Sequence, residues 1–356
     1  MIETSKAFES IIERCRLALR LKYLQATVFQ AEPLFEAEIR LIRKLGFEDT
    51  LIQMVEFGDQ LRLQKIAFHL IGSGGSSIVL FLLGISEVDP VPHHTYFQRF
   101  WITNSGEPPM VMFVFMSLDQ LDGTQIPRPI GVSVHVMTGL EAIPARLEQQ
   151  IANVYISRMD HATITLLQAG DSDGVYQLRS DRARWLLEQV RPTNIKELAW
   201  VTALEQIGYS HPDLVTEYLE DHQARSAFRQ ETGRRLKPED AWRLPILFQE
   251  SIMSLLRRHA KLPWDQTYRF VQSASKGRMT DQHELWKPVL EGLEQRHGAN
   301  GEVLLRSLIA ASRWAVCRAH HVANAITSYK AAYFRTHFRE AFERTRQQMI
   351  SVEQGM

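Results

Sequence analysis

Cysteine is nearly absent. The chain holds two in 356 residues, Cys15 and Cys317, far apart. That excludes a disulfide framework and a cysteine-built zinc site, and it suits a reducing cytoplasm. No apolar run reaches the length of a membrane span, so no membrane partner is expected. Residues 1–30 carry charges inside their apolar stretch and no small-residue cleavage site, so no secretory signal is expected in them. No internal repeat and no low-complexity tract occurs. Net charge is missing too, with 41 Lys+Arg against 41 Asp+Glu. The balance hides an asymmetry. Residues 221–356 hold 22 basic against 14 acidic residues, a net of +8, and residues 1–220 carry the opposite −8. A basic C-terminal half can face phosphates; equally, the two halves can attract each other within the molecule.

What is present is an ordinary globular composition, 45% apolar and 23% charged, long enough for two or three structural units. Its most pointed stretch is Gly72-Ser73-Gly74-Gly75-Ser76-Ser77, which runs into the apolar Ile78–Ile85. Glycines let backbone N–H groups approach an anion, and a helix N-terminus adds a positive dipole end. The pattern predicts either a phosphate cradle or a plain Gly-rich turn.

Before it, periodicity predicts helices over 5–24, with Ile11, Ile12, Cys15, Leu17 and Leu21 on one side, over 32–46, started by Glu32-Pro33 and stopped by Gly46, and over 49–66. Asp89-Pro90-Val91-Pro92 breaks the helix after the loop. Residues 110–116 and 131–136 read as two buried strands, expected to pair antiparallel across the turn-rich Asp122–Pro129 connection. Beyond Thr138 the pattern is helical, near 140–154, 160–168, 181–190, 194–206, 212–230, 239–260, 264–275, 282–297, 301–317 and 320–349.

Several blocks, in order, resemble the catalytic core of the bacterial replicative C-family DNA polymerases, over roughly residues 8–345. Glu36 to Phe47 is similar to the family's first palm helix. Gly72 to Ile85, continuing through Glu87-Val88-Asp89-Pro90, is similar to its Gly/Ser loop and following helix. Gly170-Asp171-Ser172-Asp173-Gly174-Val175-Tyr176-Gln177 resembles its "GDTxGVFQ" segment, and Arg191-Pro192-Thr193 falls at its Lys-Pro-Thr. Ile246 to Met253 resembles "IVYQEQVM", and Ser273 to Arg278 a basic turn. Arg318-Ala319-His320 and Ser328 to Phe338 resemble "KSH…YQTAYLKAHY" without a gap.

The resemblance implies an α+β fold: a small nucleotidyltransferase-like palm followed by a large all-α fingers domain. It divides the chain into an N-terminal helix and linker (1–31), a palm lacking an inserted thumb (32–138) and helical fingers (139–356). It also implies that Lys276, Arg278, Arg318, His320, Lys330 and Arg335 face DNA or nucleotide, and that Gly72, Ser73, Gly74, Gly75, Ser76 and Ser77 form the nucleotide-phosphate loop.

The departures concern chemistry. Polymerases hold two magnesium ions on aspartates. At the positions that resemble the family's three carboxylates stand Met110, Met112 and His135, with Val114 where a further acid often sits. A thioether is a poor partner for a hard cation. The nearest acids, Glu107, Asp119 and Asp122, lack paired spacing. Ile71 replaces an arginine beside the loop. Residues 117–130 are all that stand where the family places its thumb. The family's N-terminal and C-terminal domains have no counterpart in this sequence, and of its zinc module only His93 and His94 remain, expected as loop or surface residues.

The resulting expectation is a catalytically inactive polymerase-like protein, in replication or repair, with DNA or a replicative or repair polymerase complex as partner. It would be cytoplasmic, encoded by a bacterium or a mobile element. No metal and no cofactor are expected, Mg²⁺ only if catalysis is retained. The alternatives are a residual DNA-directed polymerase and a protein-interaction scaffold that binds no nucleic acid.

Overall fold

The computed structural model describes residues 2–103, 106–115, 132–136, 140–151, 154–157, 160–232 and 246–354. Asp119, Asp122, the 117–130 interval and the start of the helix expected from residue 239 lie outside them. The fold is α+β: a small three-stranded sheet within a mostly helical chain.

Three long helices come first. In Ile2–Lys22 the buried stripe is Phe8, Ile11, Ile12, Cys15 and Leu19; Leu17 and Leu21, expected with it, are exposed. The second helix begins at Gln25, not at Glu32, and carries Pro33 inside it. Proline costs about 3 kcal/mol within a helix. Here Ala31, Phe35, Ile39 and Ile42 form one continuous buried stripe across it, and that burial outweighs the lost hydrogen bond. Gly46 ends the helix at φ 70°, and Glu48–Leu63 follows.

The sheet is β1 (Phe68–Ile71), β2 (Val111–Phe115) and β3 (Val132–Val136), in that order. β1 pairs antiparallel with β2, but β2 and β3 run parallel, against the antiparallel pair expected. A parallel pair needs a crossover of about a dozen residues or more, and 116–131 supplies that length, so adjacency in sequence was no guide to strand direction.

The C-terminal part is helical, with corrections at the boundaries. The helix expected over 282–297 begins at Trp286, that over 301–317 ends at Ala311, and that over 320–349 is two helices, Arg318–His337 and Arg339–Gln354, parted at Phe338. His93, expected at the surface, is buried in the short Pro90–His93 helix, while His94 is exposed. No helix among the described residues is long and apolar enough to cross a membrane.

Apolar burial gathers around three centres. Phe35, Leu51, Trp101 and Phe113 anchor the N-terminal one, Leu187, Leu204, Tyr329 and Phe334 the second, and Met253, Phe270 and Leu305 the third. The Arg318–His337 helix ties the first two together, because it packs along Ile195–Gly208 and also against the Gly72–Ser76 turn and β1.

At that junction His321 is buried, with Nδ1 3.0 Å from Thr202 Oγ1 and Nε2 without a hydrogen-bond partner among the described residues. Burial, then the His320 charge, pushes its pKa down to about 3. The unfolded chain binds a proton here near pH 6.5 and the folded chain does not, so stability falls as pH drops from about 6.5 toward 3. The expected loss at pH 5 is about 2 kcal/mol from this group. Urea midpoints at pH 7 and pH 5 check it: His321→Leu should show a visibly flatter acid limb than the parent.

Candidate functional site

The Gly/Ser stretch leaves β1 at Ile71 and forms a 3₁₀ turn, Gly72–Ser76, before the five-residue helix Ile78–Leu82. Gly72 takes φ 80°, which disfavours a side chain, and a Cβ there would lie 3.5 Å from Met112 Sδ. A Cβ on Gly75 would press on Val88 and on Ala319, at 3.3 and 3.4 Å. The loop is therefore closed over by the Arg318–His337 helix. Ser73 is half-buried; Ser76 is buried, its hydroxyl without a partner among the described residues.

Ser77 is the N-cap of the following helix, accepting from Leu80 N–H at 3.1 Å. Its own hydroxyl donates to Glu38 at 2.5 Å. Glu38 is fully buried and also accepts from Ile78 N–H at 2.8 Å and Trp101 Nε1–H at 2.6 Å. The positive end of this helix thus already faces a carboxyl group of the chain itself. Burial pushes Glu38 up to about 7, with the bonds from Ser77, Trp101, Ile78 and Val79 pulling the other way.

The sheet has two faces. Leu70 and Phe113 point into the N-terminal core. On the other face Ile71 and Val114 pack into the core built by the C-terminal helices, beside Ala142, Ile143 and Leu147. Met110 is 64% exposed and Met112 half-buried. The register sets Ile71, Met112 and Ser133 in one row, and His69, Val114 and the His135 backbone in the next. No group of three His, Cys, Asp or Glu converges among the described residues. A magnesium pair takes hard oxygen ligands, and two thioethers and an imidazole at these positions do not fit it.

The basic residues divide. Lys276 and Arg278 are exposed on either side of Gly277, after the Trp264–Ser275 helix. The other four lie on Arg318–His337. The Arg318 guanidinium donates to the His94 carbonyl at 3.0 Å and Ser251 Oγ at 2.7 Å, and it lies over the Phe248 ring. His320 Nε2 lies 3.1 Å from Asn324 Nδ2, and burial lowers its pKa. Lys330 Nζ is largely buried between Glu87 at 2.5 Å and Glu148 at 2.8 Å. Arg335 binds the Asp171 carboxylate and carbonyl.

A family model described as the bacterial DNA polymerase III alpha NTPase domain matches residues 9–111, and one described as the bacterial DNA polymerase III alpha subunit finger domain matches 136–297. The chain belongs to the bacterial DNA polymerase III alpha family. It is 24% identical to the DNA polymerase III subunit alpha of Thermotoga maritima across 88% of this chain and 47% of that protein. It is 26% identical to the error-prone DNA polymerase of Azoarcus sp. (strain BH72) across 60% of this chain and 21% of that one. The chain thus spans about half the length of the first relative and about a fifth of the second. The alignment with the Thermotoga protein runs over 405 positions, more than the 356 residues here, so that relative carries inserted sequence. The two family matches stop at 111 and resume at 136; Met112, Val114 and His135 lie in the interval.

Sequence reasoning missed the two buried carboxyls that collect hydrogen bonds in this region of the chain. Glu38 sits among Phe35, Ile39 and Ile42, and a charged residue inside an apolar stripe was the available signal. Glu250, also fully buried, accepts the Arg318 N–H on both oxygens at 3.1 and 2.9 Å, and so closes the N-terminus of the long helix.

Proposed function

We propose that this chain is a catalytically inactive polymerase III alpha-like protein that serves DNA replication or repair as a DNA-binding or polymerase-associated factor in the cytoplasm. In this reading residues 32–138 are a palm without a thumb, 1–31 its flanking helix and linker, and 139–356 the fingers. One observation carries it. The sheet face that would present magnesium-binding carboxylates has Met110, Met112 and His135 at those positions, and its Ile71 and Val114 are packed into core. Two unneutralised carboxylates there would repel each other, whereas the methionines carry no charge and Val114 adds apolar burial.

Primer extension with Mg²⁺ and with Mn²⁺ tests the loss of catalysis. No template-directed incorporation is expected, and incorporation that survives rigorous purification would sink the proposal. DNA contact is expected through the exposed Lys276 and Arg278. Lys276→Ala/Arg278→Ala should lower the salt needed to elute the protein from single-stranded DNA.

The inward pairing of Lys330 and Arg335 favours a second reading, a scaffold that contacts only proteins. Absence of retention on single- and double-stranded DNA at low salt, together with capture of polymerase or repair proteins, would select it.

A further inference from the structure

The Gln25–Leu45 helix is apolar on two sides. Ala31, Phe35, Ile39 and Ile42 face the N-terminal core, while Ala37, Leu41 and Leu45, four apart, run along the neighbouring side. Ala37 and Leu41 are half-buried and Leu45 is 37% exposed. Leu41 packs on both the N-terminal and the third apolar centre. A groove of about 400 Å³ opens over this side, bordered across from it by the start of the Trp264–Ser275 helix, with the buried Phe97 and Ile102 beneath.

Three exposed cations stand around the groove, Arg40 and Lys44 on the first helix and Arg269 on the other. Among the described residues none of the three forms an ion pair or a side-chain hydrogen bond. Arg43, outside the groove, is by contrast paired with Glu9 at 2.5 Å. A single acid, Asp265, lines the groove, in the first turn of its helix, where the dipole favours it. Arg40 and Lys44 are four apart on one helix, so they repel each other. An anionic partner relieves that repulsion.

The floor is aliphatic, which suits a peptide better than a polynucleotide. The half-buried ring at its edge, Trp264, already packs against Tyr96 at 4.3 Å, which leaves bases little to stack on. An amphipathic helix that lays its apolar face into a groove meets both halves of this surface.

We propose that this groove docks an acidic amphipathic segment of a partner protein, its apolar side chains on Leu41, Leu45 and Trp264 and its carboxylates on Arg40, Lys44 and Arg269. The site shares no residue with Lys276, Arg278 or the sheet. The inference goes beyond the proposed function by giving a protein partner its chemistry and its place, and it holds with or without DNA binding.

Fluorescence anisotropy of the full chain at low salt tests it. The probes are a panel of labelled acidic peptides with leucine, phenylalanine or tryptophan at helical spacing, the same peptides with lysine for each acid, and the same with serine for each apolar residue. Acidic amphipathic peptides should bind about tenfold tighter than either control, the combined effect of three exposed ion pairs. Arg40→Glu/Arg269→Glu should abolish that preference and favour the lysine peptides. Arg40→Glu sets an acid four residues before Lys44, a favourable helix pair, so the fold is kept. Leu45→Ser should weaken the acidic peptides and leave their salt dependence unchanged. No binding of any acidic peptide, or binding unaltered by the charge reversal, overturns the inference. Displacement of the peptides by a single-stranded oligonucleotide, lost in the same variant, would overturn it in favour of nucleic acid. Self-association of the free chain in sedimentation, also lost in that variant, would overturn it in favour of a second copy. DNA retention through Lys276 and Arg278 is read separately and stands or falls by itself.

Discussion

Glu38→Ala should lower the unfolding free energy by about 4 kcal/mol, the largest effect expected of any single substitution in the N-terminal half. It removes the common acceptor of the Ser77 hydroxyl, Ile78 N–H and Trp101 Nε1–H, and all three donors are left in a dry interior. Glu38→Gln keeps the volume and should cost much less. Its pH dependence carries the sharper test. The folded-state pKa of Glu38 is raised to about 7, so its contribution is full below about 4.5 and is lost as pH rises through 7. A permanently neutral amide escapes that loss. The deficit of Glu38→Gln should therefore shrink by about 1.4 kcal/mol per pH unit between about 4.5 and 7, and hold constant above 7. Urea denaturation at pH 5, 6 and 7 reads this, and a constant difference between parent and Gln variant across that range would refute it.

Lys330→Met should cost about 2 kcal/mol. The ammonium is largely buried, but Glu87 and Glu148 are each more than one-third exposed, so screening reduces the effect below that of a closed ion pair. Without the lysine the two carboxylates face each other. Adding Glu148→Gln to Lys330→Met should then recover stability, which a lost packing contact alone would not allow. Desolvation opposes the Lys330 charge, but the two glutamates prevail and raise its pKa. The contribution is therefore present below about 10.5 and lost as pH rises through the higher folded value. A double-mutant cycle in urea provides the measurement.

Both predictions concern residues whose roles were hidden in the sequence, and the reasons differ. Lys330 belongs to a motif that, by resemblance, faces nucleotide. Its ion pairs come from residues 243 and 182 positions earlier in the chain, and only folding brings those carboxylates to it. Glu38 could have been flagged from its apolar neighbours, but nothing local says that Trp101 and Ser77 are its partners. The Gly/Ser loop is similar. Its turn and N-cap were legible from glycine and serine chemistry. That the helix after it is five residues long and already faces a carboxyl group was not.

The fold was more legible than the site. Helix periodicity located nearly all of the long helices, because a buried stripe repeats every three or four residues wherever the partner lies. Boundaries drifted where tertiary burial competed with local signals, as at Pro33. Strand direction was misjudged because parallel and antiparallel strands have the same alternation, and the difference lies in a crossover whose path is not local.

By itself, the sequence determined the helical framework, the membership in a polymerase family through ordered motifs, and the non-acidic character of Met110, Met112 and His135. These are properties of residue type and spacing, which need no partner to be read. Only the tertiary structure decided where the charges are satisfied: Glu38 at the loop, Glu250 at the long helix, Lys330 between two glutamates, and Arg335 on Asp171. An electrostatic interaction depends on distance and burial, and both arise only when segments remote in the chain are packed together.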